Sequence, residues 1–259
     1  MSGYIDVFKR TEIKYLLSRD QYRKLFSFLE GFAKVDEYGK TRINNIYFDT
    51  SNYKLIRTSL EKPIYKEKLR LRTYGSTNDE TNSFIEIKKK YDGIVYKRRV
   101  SGEYKRAYDY LVNGDKPLDD SQISREIEGF LYMYEGLRPA MRISYDRVAM
   151  AGIKDKDFRV TFDTNIQWNK NDLDLRKDAD GIPILKDGQY MMEIKVANAM
   201  PIELTRKLSE LKIFPASFSK YGRGYLDMIQ RAAEPQLIKE EKIVKKHVIR
   251  NEKEVSVYA

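Results

Sequence analysis

The stretch Tyr65–Tyr74 reads YKEKLRLRTY, and its alternation of residue types decides the fold class. Four basic residues fall on one parity of the stretch, namely Lys66, Lys68, Arg70 and Arg72. The other parity carries Glu67, Leu69, Leu71 and Thr73. Because alternate side chains of a β-strand share one face of the sheet, the stretch predicts a strand with one basic face and one partly apolar face.

Strand patterns recur on both sides of this stretch. Seven further strands are predicted at Phe8–Leu17, Thr41–Thr50, Ser83–Lys90, Ile94–Val100, Arg138–Met150, Phe158–Ile166 and Tyr190–Val196. Asp92-Gly93 is a hairpin turn signal, and short links between consecutive strands favour antiparallel pairing. Helices are predicted after Ser18, which forms a capping box with Gln21, and at Ser51–Leu60, Ser101–Asn113, Ser121–Glu135 and Pro201–Lys212.

We therefore predict an α+β fold in which an antiparallel β-barrel of about eight strands forms a tunnel with helices packed on its outside. One domain is expected over residues 1–233, with a basic loop at 217–224. Residues 234–259 are expected to form a charged C-terminal tail, either helical or disordered.

The composition narrows the function classes. The 259 residues include 49 Lys and Arg against 39 Asp and Glu, so the net charge of +10 favours a polyanionic partner. There is no Cys, and His247 is the only His, which argues against thiolate or histidine catalysis. A metal would need oxygen ligands, so Mg²⁺ or Mn²⁺ is favoured. The lack of a signal peptide or a long apolar run predicts a cytoplasmic protein without a membrane span.

The charged strand faces carry more basic than acidic residues. The basic set is Arg10, Lys14, Lys68, Arg70, Arg72, Lys88, Lys97, Arg99, Arg159 and Lys195, and the acidic set is Glu12, Glu86, Asp163 and Glu193. Unpaired buried charges are costly, so a dry barrel is excluded and a wet tunnel that binds polyphosphate is favoured. The alternative is a solvated sheet face in which part of the pattern is cross-strand ion pairing.

Nine short stretches, in this order, carry a resemblance to a known family. They are RTEIKY (10–15), IYFDT (46–50), KLRLRTY (68–74), FIEIKKK (84–90), YKRR (96–99), RISYDRVAM (142–150), RVTFDTNI (159–166), MEIK (192–195) and SKYGRG (219–224). The set resembles the VTC domain, the catalytic domain of vacuolar transporter chaperone polyphosphate polymerases, in a bacterial-type stand-alone form. This domain belongs to the CYTH-like, or triphosphate tunnel metalloenzyme, superfamily.

The resemblance implies roles for individual residues. Lys14 would contact phosphate, and Arg70 and Arg72 would hold a nucleotide triphosphate with Lys88 and Lys97 beside them. Arg147 and Arg159 would line the opposite wall, and Lys220 would close one mouth of the tunnel. Glu193 would bind the metal. Glu12 is a weaker ligand, because Arg10 replaces the first Glu of the superfamily's E-x-E-x-K motif.

Structural alternatives remain open for several of these residues. Arg142 and Arg147 have opposite parity, so both face inward only across a β-bulge, and Arg147 is preferred. A one-residue register error would exchange Lys97 with Arg98 or Arg99. Glu193 could simply pair with a neighbouring Arg, and Asp163 could be structural. Tyr47, Phe48 and Trp168 are expected to be packing residues.

The leading hypothesis is an ATP-dependent polyphosphate polymerase that transfers the γ-phosphoryl group to a growing chain. One rival is a metal-dependent hydrolase of tripolyphosphate or an organic triphosphate. A second rival is a non-catalytic polyanion-binding module; nucleic acid is not expected, because no nucleic-acid motif is present. ATP and polyphosphate are the expected partners. Coupling to translocation would need a membrane-protein partner, and the oligomeric state stays open.

Overall fold

The computed structural model describes residues 11–178, 180–197 and 199–234. Its strands are β1 (Thr11–Leu17), β2 (Ala33–Asp49), β3 (Tyr65–Tyr74), β4 (Asn82–Tyr91), β5 (Ile94–Glu103), β6 (Arg138–Gly152), β7 (Arg159–Asn169), β8 (Ile182–Pro183) and β9 (Tyr190–Val196). Its helices are α1 (Arg19–Leu29), α2 (Lys54–Leu60), α3 (Tyr104–Asn113), α4 (Gln122–Met133) and α5 (Ile202–Glu210). Residues 220–234 are also helical and are called the last helix below.

Two predicted features fall partly outside this description. Residues 8–10 of the first predicted strand, including Arg10, lie outside the described residues. The same is true of the predicted tail from residue 235 onward. Within the described part of the chain, no helix is both long and apolar enough to cross a bilayer.

The strands form one antiparallel sheet with the order β1-β9-β7-β6-β2-β3-β4-β5, and β8 is paired with β7. The predicted α+β class and antiparallel pairing are therefore confirmed. The predicted closed barrel needs correction, because among the described residues β1 and β5 end the path without pairing. Glu12 of β1 nevertheless lies 3.6 Å from Lys88 of β4. Since five strands separate β1 from β4 in that order, the sheet must curl until its charged faces meet.

Helices cover the outer, apolar face of the curled sheet. α3 and α4 pack on Leu69 and Leu71 of β3 and on Ile85 and Ile87 of β4. At the other end of the sheet, α1 and α5 pack on the apolar residues of β1, β7 and β9. Alternation along the strands therefore turns most of their charged residues to the inner face, as predicted.

The capping of α1 was predicted from its sequence and is confirmed. The Ser18 hydroxyl accepts a hydrogen bond from the backbone N–H of Gln21, and the Gln21 side chain accepts one from the Ser18 N–H. This reciprocal pair satisfies two donors that a helix start otherwise leaves free.

The last helix is a feature that the sequence analysis assigned in part to a loop. It packs Tyr221 and Met228 on inner-face residues of β2 and β6, including Tyr47 and Met141. A Cβ atom at Gly224 would lie 2.8 Å from the Met141 sulfur and 3.0 Å from the Trp168 Cβ. The glycine is therefore what allows the helix to approach the sheet so closely.

Candidate functional site

Arg70 and Arg72 lie on the inner face of β3 and share one carboxylate. Glu86, directly across from Arg70 on β4, accepts from Arg70 Nε at 2.7 Å and lies 3.9 Å from Arg72 Nη1. Lys97 of β5 lies 2.5 Å from the same carboxylate, whose side chain is 1% exposed. Burial alone would raise the pKa of Glu86, but Arg70, Arg72 and Lys97 outweigh it and lower the pKa to about 2.

The two arginines also bind neutral groups on β2 and β6. Arg70 Nη1 donates to the Tyr47 hydroxyl at 3.1 Å. Arg72 Nε donates to the Asn45 side-chain oxygen at 2.8 Å, and Nη2 donates to the Tyr145 hydroxyl at 3.2 Å. These contacts fix both guanidinium groups in place, while Arg70, Arg72 and Lys97 share the single negative charge of Glu86.

The start of β3 and the end of β4 bring four lysines together, and among the described residues Lys88 alone of these has an ion-pair partner, Glu12 at 3.6 Å. Lys68 lies directly across from Lys88, and Lys66 lies directly across from Lys90. Like charges opposite each other destabilise a sheet. Lys66, Lys68, Lys88 and Lys90 therefore form a mutually repulsive end of the inner face. We call these four residues the lysine end.

Lys68 is one of the inner-face cations with little charge compensation. Its Nζ donates to the Ser219 hydroxyl at 3.1 Å, and among the described residues no carboxylate forms an ion pair with it. Burial lowers the pKa of Lys68 to about 8, helped by Lys66 and Lys88 and opposed by Tyr47. An external anion bound at this position would supply the ion-pair partner that the Lys68 ammonium group lacks among the described residues.

Two carboxylates, Glu12 and Glu193, share two lysines on the adjacent strands β1 and β9. Lys14 lies 3.1 Å from Glu12 and 3.8 Å from Glu193. Lys195 lies 2.9 Å from Glu193 and 3.9 Å from Glu12. Although burial raises the pKa of each acid, Lys195 and Lys14 lower that of Glu193, and Lys88 with the same two lysines lowers that of Glu12. Both carboxylates are thus ionised at neutral pH.

The Glu12 and Glu193 carboxylates could bind a divalent cation such as Mg²⁺ if substrate phosphates supplied further oxygen ligands. Among the described residues no group of three or more His, Cys, Asp and Glu side chains is placed to hold a metal ion. Mg²⁺ is typically held by one or two carboxylates together with substrate phosphates and water. Glu193 and Glu12 fit that pattern, because they offer two ionised carboxylates beside a basic, phosphate-compatible surface.

The opposite wall is organised by Asp163 of β7, whose side chain is fully buried. Arg147 binds it with two hydrogen bonds, from Nε at 2.6 Å and from Nη2 at 2.8 Å. Lys220, at the start of the last helix, lies 2.6 Å from the same carboxylate and 4.4 Å from the centre of the Tyr145 ring. Burial alone would raise the pKa of Tyr145, but Arg72, Arg147 and Lys220 lower it to about 8.

Most predicted site residues lie on this inner face. It brings together Lys14, Arg70, Arg72, Lys88, Lys97, Arg147, Lys220, Glu193 and Glu12. Arg159 is the exception: it lies at the rim, with its side chain about half exposed and Nη2 3.1 Å from Asp36.

The parity questions raised by the sequence have definite geometric answers. Arg147 lies on the inner face, whereas Arg142 donates to the carbonyl oxygens of Asp174 and Lys177 away from it. Lys97 points to Glu86, whereas Arg98 lies 3.7 Å from Glu126 on α4.

Several polar residues of the site had no predicted catalytic, nucleotide-binding or metal-binding role. They are Lys68, Asn45, Tyr47, Tyr145, Asp163 and Ser219. Tyr47 was assigned to packing, and it does stack on Tyr221 at 4.6 Å, but its hydroxyl also binds Arg70. Lys68 and Asp163 already stood on charged strand parities in the sequence, which was the available signal.

Known proteins resemble the chain in sequence and in fold. Vacuolar transporter chaperone complex subunit 2 of Saccharomyces cerevisiae is 24% identical, and the match covers 61% of this chain and 25% of that protein. Subunit 4 of the complex from Schizosaccharomyces pombe is 24% identical, with 83% of this chain and 35% of that protein covered. The chain therefore spans only about a quarter to a third of the length of these relatives.

The fold also matches a solved structure. A putative adenylate cyclase from Bacillus halodurans superposes with a TM-score of 0.50 at 16% identity, covering 82% of this chain and 95% of that one. This likeness concerns the fold alone. The family model of the VTC domain matches residues 9–229, which include all of the inner-face residues described above. The predicted family is thereby confirmed, and the chain belongs to the VTC domain family.

Proposed function

We propose that this protein is an ATP-dependent polyphosphate polymerase. The γ-phosphoryl group of ATP passes to a terminal phosphate oxygen of a polyphosphate chain, the bond to the β-phosphate breaks, and ADP leaves. The chain belongs to the VTC domain family, and its relatives are subunits of vacuolar transporter chaperone complexes, which supports a phosphotransferase of this kind.

The excess of cations on the inner face is the observation that carries the proposal. Among the described residues, the carboxylates Glu12, Glu86, Asp163 and Glu193 face a larger number of basic groups, which include Lys14, Lys66, Lys68, Arg70, Arg72, Lys88, Lys90, Lys97, Arg147, Lys195 and Lys220. Partly buried cations in such excess are costly without anions. A triphosphate and a phosphate polymer supply the missing negative charge.

Different residues would position the triphosphate and the polymer and neutralise their negative charge. Arg70 and Arg72 offer forked donors, held in place by Tyr47 and Tyr145, that suit the oxygens of a nucleotide triphosphate. The lysine end offers mobile point charges suited to a polymer of variable position. Glu193, with Glu12 beside it, would hold Mg²⁺ or Mn²⁺, which when bound supplies charge neutralisation to the phosphates. The acceptor oxygen is already anionic, so the transfer needs no strong general base.

One observation favours a second candidate, a hydrolase that cleaves tripolyphosphate or an organic triphosphate. Glu12 adds a second ionised carboxylate within reach of the lysines that hold Glu193. Such a group could orient a water molecule toward phosphorus, in which case orthophosphate would replace the polymer as product.

The wider setting is part of the proposal. We place the enzyme in the cytoplasm, with ATP and polyphosphate as its substrate and product. Because its relatives are subunits of a complex, a membrane-protein partner is proposed to receive the polymer.

Incubation of the purified protein with ATP and Mn²⁺, followed by separation of nucleotide, orthophosphate and polymer, tests the proposal. ADP together with a ladder of phosphate chains is expected. ADP with orthophosphate alone would assign the protein to the hydrolases instead. Absence of turnover with both Mn²⁺ and Mg²⁺ would favour a non-catalytic polyanion-binding module.

A further inference from the structure

An exposed apolar surface lies at the β4–β5 hairpin, mostly on the outer side of the sheet, with Val95 on the inner side across from Lys90. It consists of Ile64, Tyr65, Tyr91, Ile94, Val95 and Tyr96, which are between 38% and 71% exposed, and we call it the hairpin patch. The helices α3 and α4 cover the outer face at Leu69 and Ile85 but do not bury these six side chains. Contiguous exposed apolar surface of this kind marks an interaction site.

The strand register shows that the patch is continuous. Tyr65 pairs with Tyr91 across β3 and β4, and Tyr91 pairs with Ile94 across the turn. The backbone N–H of Asp92 donates to the carbonyl oxygen of Ile64 at 3.0 Å, which joins the chain before β3 to the hairpin. The six residues therefore form one projecting tip.

Basic residues surround this tip. Residues 61–66 and 88–99 contain eight Lys and Arg but only two acidic residues, Glu61 and Asp92. Lys62 and Lys89 point away from the inner face or lie outside the strands, so their charge is available to a partner, whereas Arg98 lies 3.7 Å from Glu126. Any partner must accept apolar side chains at the centre and positive charge at the rim.

We propose that the hairpin patch docks the protein on an anionic lipid bilayer. Tyrosines together with aliphatic side chains suit the boundary between headgroups and acyl chains, and surrounding lysines and arginines suit anionic headgroups. A second copy of the chain fits poorly, because a two-fold interface would set this basic rim against itself. A phosphate polymer would neutralise the rim but leave Ile64 and Ile94 in water.

Docking through the patch would place the lysine end of the inner face next to the bilayer. The Lys66–Lys90 pair directly follows the Tyr65–Tyr91 pair along the two strands. Membrane binding itself requires no nucleotide turnover, so it can be tested independently of the proposed polymerase activity.

Sedimentation of the full chain with vesicles tests the proposal. Vesicles of phosphatidylcholine with phosphatidylserine are compared with phosphatidylcholine alone, in excess tripolyphosphate so that inner-face cations are occupied. We expect salt-sensitive binding to the anionic vesicles only. Combined Tyr91→Ser, Ile94→Ser and Tyr96→Ser changes should weaken this binding by about tenfold or more, since apolar burial and charge act together.

A matched control removes exposed apolar side chains elsewhere. Ile202 and Phe214, at and after α5, are 56% and 68% exposed, and α5 packs on β1, β7 and β9 rather than on β4 and β5. Ile202→Ser with Phe214→Ser should leave vesicle binding unchanged. Absence of wild-type protein from the anionic pellet, or equal binding by the hairpin variant, would overturn the proposal and point to a protein partner for the patch.

A second variant keeps the apolar character of the tip and reports its position. Trp168, the only tryptophan of the chain, is 4% exposed, so Ile94→Trp adds a distinguishable exposed fluorophore. Its emission should shift to the blue on anionic vesicles and be quenched by brominated lipid, whereas that of Ile202→Trp should not. Vesicle binding without any change in Ile94→Trp emission would refute the hairpin as the contact.

Discussion

Replacing Glu86 by Gln removes the carboxylate shared by Arg70, Arg72 and Lys97 while keeping the size of the side chain. Breaking a buried ion pair by removing one partner costs about 3–5 kcal/mol. The pKa offers an independent route to the magnitude. A carboxyl group whose pKa falls from 4.5 to about 2 on folding contributes about 3 kcal/mol of stability at neutral pH.

The two routes agree, so we expect the Glu86→Gln variant to lose about 3 kcal/mol in free energy of unfolding at pH 7. For a domain of this size that corresponds to a fall in Tm of roughly 6–12 °C. The sign follows from the lowered pKa: the contribution is complete above pH 4.5 and disappears as the pH falls toward 2. The difference between wild type and variant should shrink over that range.

Thermal and urea unfolding monitored by circular dichroism measure this loss, with Glu126→Gln as the matched control. Glu126 pairs with Arg98 at 3.7 Å on the outer surface, where an ion pair is worth about 1 kcal/mol or less. Tripolyphosphate should raise the Tm of Glu86→Gln more than that of wild type, because the variant has one more uncompensated cation. Equal losses for Glu86→Gln and Glu126→Gln would refute the view that Glu86 holds the cation cluster together.

Three further outcomes are expected. Glu193→Gln should abolish turnover at an unchanged circular dichroism spectrum, and a fully active variant would remove Glu193 as the metal ligand. Lys68→Met should raise the free energy of unfolding at pH 7, because burial disfavours the ammonium group of the wild type. The same change should weaken tripolyphosphate binding measured by calorimetry. The gain in stability should decrease from pH 8 to pH 10.5 and then vanish, because folded wild-type Lys68 is neutral in this range while the unfolded chain still loses its proton. Arg147→Lys breaks the two-bond contact with Asp163 and should lower kcat about tenfold or more, whereas Arg142→Lys, away from the inner face, should change stability but not kcat; equal losses of kcat would contradict the assignment.

The strand faces could be predicted because a strand encodes them locally. Alternation in YKEKLRLRTY is sufficient to place Arg70 and Arg72 on one face of their strand, whatever the neighbouring strands are. Alternation in YMMEIKV places Glu193 on the charged face of its own strand in the same way. The α1 start was equally local, since the capping box at Ser18 needs only residues three apart.

Strand pairing, in contrast, is not local. The Tyr47 hydroxyl binds Arg70 only because β2 lies beside β3 in one particular register, and no pattern within IYFDT specifies that register. Whether β1 and β5 pair to close the sheet depends likewise on the curvature of the whole sheet, and in the described part of the chain they do not pair. These features are set by packing between distant segments.

The last helix was missed although a signal was present. Tyr221, Tyr225 and Met228 follow helical spacing, but two glycines in SKYGRG favoured a loop. The structure explains the conflict, because Gly224 provides close approach to Met141 and Trp168 rather than a turn. Local propensity was overridden by tertiary contact.

The pairing of β1 with β9 has a consequence for synthesis on the ribosome. Lys14 and Glu12 leave the ribosome early, whereas their partners on β9 and the Lys220 ammonium group on the last helix follow about 180–205 residues later. The complete cluster therefore depends on contacts between distant segments of the chain, which form slowly. Until then the nascent chain presents separate basic strands rather than one cluster. Truncated translation products that lack the last helix should therefore lack the complete cluster and retain less tripolyphosphate than the full chain.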